Sequence, residues 1–154
     1  MFSDNGRGNL GSMASSEIFV RAAPDRVFAV LADASLYADW VMGAQEVLDA
    51  DAAWPEEGSA LAHRTGVGPA ALTDTTEVLE SEPPHRLVLL ANLSRLGSVR
   101  VELTLHADGE GTRVHMDEVP VAGVSAALHN PLSDLALDMR NVLSLQRLRD
   151  LAEA

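Results

Sequence analysis

The chain has 154 residues, enough for one domain with a core of its own and too few for two. Its formal net charge is −12 and all 11 basic residues are arginines, so it repels nucleic-acid phosphates and anionic lipid surfaces. Cysteine is absent, which excludes disulfides, a thiol nucleophile and cysteine-based metal sites and fits a reducing cytoplasm. No apolar run approaches the roughly 18 residues that span a membrane. We therefore predict a cytoplasmic protein with no nucleic-acid partner and no integral membrane association.

The N-terminal segment differs in composition from the rest of the chain. Residues 1–12 are rich in glycine, asparagine and serine, and we predict that they are disordered. The letters GSM resemble the remnant of an expression tag, with Met13 as the native start. The predicted single domain therefore spans residues 13–154.

A strand and two short helices are predicted next. Residues 15–23 are β-branched and partly alternating, which is typical of a strand. Pro24 suits the first turn of a helix, and Asp25 suits its positive N-terminal end. The letters DAS interrupt the apolar stripe, and Ser35 is the predicted N-cap of a second short helix that carries Trp40.

Six further strands are predicted between Gly43 and Pro120. The breaks WPEEG, GVGP, EPPH, RLG and DGEGT each contain glycine or proline, where the chain must turn. Strands in uninterrupted succession indicate an antiparallel meander, because parallel pairs need crossovers. The alternation in SVRVELTLHA indicates that one face of the sheet is wet and the other is covered. The predicted strands are 44–52, 59–65, 70–81, 86–94, 98–107 and 112–119.

A long helix at the C-terminus is predicted to supply this cover. Asn130 is a plausible N-cap and Pro131 suits the first helical position. The helix is about 23 residues or roughly 34 Å long, enough to cross a curved sheet. Its apolar stripe is predicted to contain Leu132, Leu135, Met139, Val142, Leu143, Leu145, Leu148 and Leu151.

The fold class that follows is α+β: a curved seven-stranded antiparallel sheet that grips the C-terminal helix, with two short helices after the first strand. A sheet of this size twists and curls, and a single helix cannot fill its concavity along the whole width. Aromatic residues are only 4% of the chain, so the interior side chains are mostly aliphatic. This shortage of bulk favours an internal cavity that a ligand occupies.

These residues also resemble a known family. The stretch VRAAPDRVFAVLADASLYADWV, with WPEEGS, PPHRLVL, GEGTRV and the terminal helix, resembles the SRPBCC superfamily from Ser16 to Ala152. Within it, the sequence is similar to the polyketide cyclase/dehydrase group with the START-like, Bet v 1-like helix-grip fold. The resemblance implies aromatic polyketide cyclases, lipid or sterol carriers, or hormone receptors as relatives, and fold alone does not choose among them.

Three ionisable residues are candidate catalytic groups. If Leu72, Asp74 and Thr76 share the inward face of their strand, Asp74 is a carboxylate in the cavity; in the opposite register it lies in water. Both registers are open, because both faces hold apolar residues. The same choice is open for His63, which would exchange protons near neutral pH if it points inward. The parity of TRVHMDEV places Glu118 inward.

The candidate ligand-binding residues line the predicted cavity or its mouth. Trp40 either stacks on a planar ligand or anchors its helix to the sheet, and Met139 is expected to face the sheet. No HExxH motif or close histidine pair is present, so no metal and no cofactor are predicted. The predicted ligand-binding set is Trp40, Thr76, Met116, His129, Leu135 and Met139.

The leading functional hypothesis is binding of a hydrophobic small molecule in the internal cavity. The resemblance implies that an enzyme of this kind would cyclise or dehydrate a polyketide, with Asp74, His63 or Glu118 moving a proton. The alternatives are a non-catalytic carrier of a lipid or quinone and a co-chaperone-like interaction module with a collapsed cavity. Either a monomer or a homodimer is compatible with the sequence.

Overall fold

The computed structural model describes residues 14–66, 68–93, 97–122 and 131–154, with side chains described except at residue 122 and residues 131–137. The expectation of disorder for residues 1–12 lies outside the described residues. Seven strands form one antiparallel sheet in the order β1-β7-β6-β5-β4-β3-β2, as predicted. The strands are β1 (Ala14–Val20), β2 (Ala44–Ala50), β3 (Ala60–Thr65), β4 (Leu72–Glu82), β5 (Arg86–Leu93), β6 (Gly97–Asp108) and β7 (Gly111–Ala122).

The alternation in β6 produces the two faces that were predicted for the sheet. Val101, Leu103 and Leu105 are buried, whereas Arg100 and Glu102 belong to the outer face. A two-residue turn joins β6 to β7, and its first residue has a φ of 58°, which is why glycine stands there. The covered face of the sheet therefore receives the helices and the core.

Two short helices follow β1, as predicted. Helix α1 (Pro24–Ala32) starts at its proline, and a 3₁₀ turn (Ala34–Leu36) leads into α2 (Tyr37–Trp40). The cap differs from the prediction: Asp33, not Ser35, occupies the N-cap position, and the backbone N–H of Ser35 donates to Asp33 Oδ1 at 3.0 Å. The carboxylate is the stronger acceptor for the free N–H groups of the turn.

The terminal helix α3 (Pro131–Glu153) has the predicted start and length of 23 residues. It packs against β1, α1 and α2. The Nε–H of Arg26 in α1 donates to the carbonyl of Ala152 at 2.6 Å, which ties the end of α3 to α1. Among the described residues, no helix is long and apolar enough to cross a membrane.

The rotation of α3 about its axis differs from the prediction. Met139, expected to face the sheet, is 57% exposed, and Val142 and Leu143 are exposed too. The buried residues of the described part of α3 are Asn141, Ser144, Leu145, Leu148 and Ala152. In the sequence of this helix apolar and polar residues are mixed around the axis, so the spacing of the apolar residues does not define a single buried face.

Candidate ligand-binding site

A cavity of about 40 Å³ lies between α2, the inner faces of β4–β7, and α3. Apolar and aromatic groups make up most of its wall, and the polar groups come from a few positions on the strands and on α3. The lining consists of Tyr37, Trp40, Val41, Thr76, Leu89, Ala91, Val101, Met116, Glu118, Arg140, Asn141 and Ser144. The sheet and α3 thus enclose a cavity where the sequence predicted one.

The size of this cavity limits what it can hold as it stands. A buried water needs about 10–15 Å³ of such volume, so about 40 Å³ accommodates roughly three waters. Pockets for drug-sized ligands measure about 300–1,000 Å³. The cavity therefore fits a polar group of a ligand, and a larger molecule must displace part of the wall.

The pairing of β3 with β4 determines which way His63 and Asp74 point, a question that the alternation of residues along the strands left open. His63 and Asp74 are directly paired across the two strands, and each is 4% exposed. Directly opposite residues share a face, so both side chains lie on the inner face of the sheet. Thr76 follows two residues later on the same face, is fully buried and lines the cavity.

A chain of hydrogen bonds runs from the cavity wall along this inner face. The hydroxyl of Tyr37 lies 2.8 Å from Thr76 Oγ1, which lies 3.3 Å from Nε2 of His63. Nδ1 of the same imidazole lies 3.1 Å from Thr65 Oγ1. The rings of Tyr37 and His63 are also in contact, with centroids 4.9 Å apart. The arrangement joins a phenol in the cavity wall to an imidazole behind it.

At pH 7, burial keeps His63 and Tyr37, the two ionisable groups in this series of hydrogen bonds, in their neutral forms. The pKa of His63 is lowered from 6.5 by burial, which outweighs the opposite effect of the Asp74 carboxylate. Burial raises the pKa of Tyr37 from 10.0 to about 12, although its hydrogen bond with Thr76 acts in the other direction. A neutral imidazole can accept a proton and a neutral phenol can donate one.

The second polar feature of the cavity is an ion pair between β7 and α3. Arg140 Nη2 lies 3.2 Å from Oε1 of Glu118, whose side chain is 3% exposed. The prediction that Glu118 points inward is confirmed. The other carboxylate oxygen, Arg140 Nε and Asn141 Nδ2 are buried and meet no hydrogen-bond partner among the described residues.

Aromatic packing and a helix contact close the end of the cavity near α2. Trp40 is buried, stands edge-on to Tyr37 with ring centroids 5.8 Å apart, and also lines the cavity. Its burial fits a core anchor, and its place in the cavity wall leaves stacking on a planar ligand as a prediction. The backbone N–H of Met42 donates to Ser144 Oγ at 2.9 Å, which holds α3 beside the residues that follow α2.

The other predicted ligand-binding residues have different outcomes. Met116 is buried and lines the cavity. Met139 points away from the cavity, as its exposure shows. His129 lies outside the described residues, and the side chain of Leu135 lies outside them as well.

Sequence reasoning missed four polar or aromatic residues of the wall. Tyr37 is the only tyrosine of the chain, and Arg140, Asn141 and Ser144 interrupt the apolar run of the covering helix. Polar residues within a helix that must cover a sheet were the available signal. In the described part of the chain, no group of three or more histidine, aspartate or glutamate residues is placed to hold a metal ion.

The fold and the cavity together define a helix-grip protein. The sequence profile of the family described as polyketide cyclase / dehydrase and lipid transport matches residues 13–153, and the chain belongs to this family. The resemblance to the SRPBCC superfamily and to Bet v 1-like proteins is thereby confirmed. No curated protein matches the sequence.

Solved structures share the fold at low sequence identity. Protein CV1439 from Chromobacterium violaceum is 19% identical with a TM-score of 0.70, and the match covers 94% of this chain and 99% of that one. The di-domain ARO/CYC BexL from the BE-7585A biosynthetic pathway is 19% identical with a TM-score of 0.74, over 96% of this chain and 52% of that one. Ara h 8.0201 is 9% identical with a TM-score of 0.69, over 92% and 97%.

Proposed function

We propose that the chain binds a hydrophobic small molecule between the sheet and α3, with the molecule's polar end in the cavity. The observation that carries this proposal is a set of buried polar atoms on Glu118, Arg140 and Asn141 that meet no partner among the residues the structure describes. Native cores rarely keep such atoms, because each costs about 1–3 kcal/mol. In a wall that is mostly apolar, a ligand that supplies the missing hydrogen bonds accounts for them.

The size of the cavity determines how binding takes place. A ring or an acyl chain is larger than about 40 Å³, so binding has to widen the gap between α3 and the sheet. Family membership supports a ligand role, since the family description names cyclase, dehydrase and lipid transport. Among these three roles, the ARO/CYC designation of BexL supports a cyclase role for a protein of this fold.

A matched pair of substitutions tests the binding site. Ala91 lines the cavity opposite Thr76, whereas Ala107 is exposed on the same sheet. Ala91→Phe fills the cavity at a cost of about 1–3 kcal/mol, and Ala107→Phe leaves the cavity as it is.

Native mass spectrometry of the purified protein shows what co-purifies, and thermal unfolding with added naphthalene measures binding. Naphthalene at about ten times its Kd should stabilise the wild type by about 1.4 kcal/mol.

The two variants give opposite expectations. Ala107→Phe should keep the naphthalene-induced shift, and Ala91→Phe should lose it. The proposal is wrong if naphthalene, naphthol and naphthoate all fail to stabilise the wild type and nothing co-purifies, because the protein would then be an interaction module with a closed interior. It is also wrong if Ala91→Phe binds as the wild type does.

Acid/base catalysis is a second candidate function, favoured by the Tyr37–Thr76–His63 chain. His63 and Asp74 do not line the cavity, so a proton from a substrate held there would reach the neutral imidazole through Tyr37 and Thr76, as cyclisation and dehydration require. His63→Gln and Asp74→Asn should abolish turnover of a polyketide substrate while they keep ligand binding. A carrier would show binding by the wild type and both variants, and turnover by none.

A further inference from the structure

Three atoms of the cavity wall, which find no partner in the described part of the chain, differ in hydrogen-bonding character. Arg140 Nε and Asn141 Nδ2 carry hydrogens and can only donate, whereas Glu118 Oε2 is a carboxylate oxygen and can only accept. A group that satisfies all three must accept hydrogen bonds and also donate one. A hydroxyl does this with one oxygen atom, whereas a carboxylate, phosphate or ketone oxygen only accepts.

The charge of the wall points the same way. The guanidinium of Arg140 is already neutralised by Glu118 at 3.2 Å, so the pair offers no net positive charge. Asp74 adds a further buried carboxylate on the same face of the sheet, close enough to perturb both His63 and Tyr37. An anionic group in the cavity would meet the buried carboxylate of Glu118, and like charges repel much more strongly there than in water.

Resting on the proposed function, we infer that the ligand's polar end is an uncharged hydroxyl of an alcohol, phenol or enol, selected by Glu118 together with Arg140 and Asn141. Its oxygen accepts from the arginine and the asparagine, and its hydrogen is donated to the free carboxylate oxygen. Fatty acids and phospholipids, whose polar ends are anionic, are discriminated against. Molecules with a neutral hydroxyl on an apolar skeleton are favoured.

Three probes with the same ring system test this selection at pH 7: naphthalene, naphthol and naphthoate. Calorimetric titration of the wild type gives the Kd of each. Naphthol should bind about tenfold more tightly than naphthalene, since it adds one or two hydrogen bonds to a charged pair. Naphthoate should bind at least tenfold more weakly than naphthol.

A matched pair of Glu→Gln variants tests the role of Glu118. Glu118→Gln removes the neutralising charge and leaves the Arg140 guanidinium free, so the preference should change by tenfold or more toward naphthoate. Glu17 also pairs with an arginine, Arg113 at 3.3 Å, but on the outer face of the sheet. Glu17→Gln should therefore keep the wild-type preference. Should Glu118→Gln fail to fold, Asn141→Leu, which is similar in size and removes one of the two donors, should reduce the advantage of naphthol over naphthalene.

The possible results separate this inference from the proposed function. Naphthol preference in the wild type and in Glu17→Gln, lost or reversed in Glu118→Gln, supports the inference. Wild-type protein that binds naphthoate as tightly as naphthol overturns the inference and leaves the proposed binding function in place. Failure of all three probes to bind overturns both. An unchanged preference in Glu118→Gln overturns the role of this carboxylate.

Discussion

Tyr37 gives the most direct test of the buried hydrogen bonds that run from Tyr37 through Thr76 to His63, because its phenol can be titrated without interference from other side chains. It is the only tyrosine, and the chain has no lysine and no cysteine, so no other side chain ionises between the histidines and the arginines. Above the range in which the N-terminal amino group titrates, raising the pH therefore perturbs one known side chain. Burial raises its pKa from 10.0 to about 12, with its hydrogen bond to Thr76 as a smaller opposing effect.

The sign and size of the effect on stability follow from this difference. In the unfolded chain the phenol loses its proton near pH 10, whereas in the folded protein it keeps the proton until about pH 12. The folded state binds more protons in this window, so the free energy of unfolding falls as the pH rises through it. Each pH unit corresponds to at most about 1.4 kcal/mol, and the total loss by pH 12 is about 2 kcal/mol.

Two measurements check this prediction. The near-ultraviolet absorbance of the phenolate gives the pKa of Tyr37 in the native protein, and urea unfolding at neutral pH, pH 10 and pH 12 gives the stability. Tyr37→Phe is the control: it loses the hydrogen bond with Thr76 and should show a much smaller decrease in the same window. A native titration at the ordinary value of 10.0, or equal pH dependence of wild type and variant, would refute the reasoning.

The remaining predictions concern the other buried ionisable sites. The pKa of His63 is lowered below 6.5 by burial, so the unfolded state takes up the proton first as the pH falls. Stability is therefore fully present above pH 6.5 and is lost below it by up to about 1.4 kcal/mol per pH unit; His63→Gln should reduce this slope, and an unchanged slope contradicts the prediction. Arg140→Met leaves a buried carboxylate unpaired and should cost about 3–5 kcal/mol. Glu118→Gln leaves an arginine whose side chain is 37% exposed and should cost only about 1 kcal/mol. Urea unfolding measures the free energy of unfolding of both variants. A larger loss in Glu118→Gln than in Arg140→Met would contradict the prediction, because the carboxylate would then not be the more deeply buried partner of the pair.

Local signals were sufficient to predict the elements. The helix starts at Pro24 and Pro131 and the strand at 98–107 appear in the structure as Pro24–Ala32, Pro131–Glu153 and Gly97–Asp108. Proline geometry, glycine turns and period-two alternation act within a few residues, so they can be read without knowing the partners of a strand or helix. Six strands without crossovers then allow little besides an antiparallel meander.

The faces of two elements needed the tertiary structure. In β4, threonines and apolar residues occupy both sides, and the pairing of Asp74 with His63 is what turns the acid inward. In α3, the spacing of apolar residues predicted a buried Met139, yet the buried face contains Asn141 and Ser144. Apolar and polar residues are mixed around the axis of this helix, so their spacing does not fix the buried face, and contacts with β1, α1 and α2 determine its orientation.

The sequence by itself determined which segments form strands and helices, because those preferences are local. Only the tertiary structure decided which side chains meet in the cavity. The Tyr37–Thr76 hydrogen bond joins residues 39 positions apart, and the Glu118–Arg140 pair joins residues 22 positions apart on a strand and a helix. Such contacts depend on the register of several strands and on the rotation of α3. Neither can be read from the residue pattern of a single strand or helix.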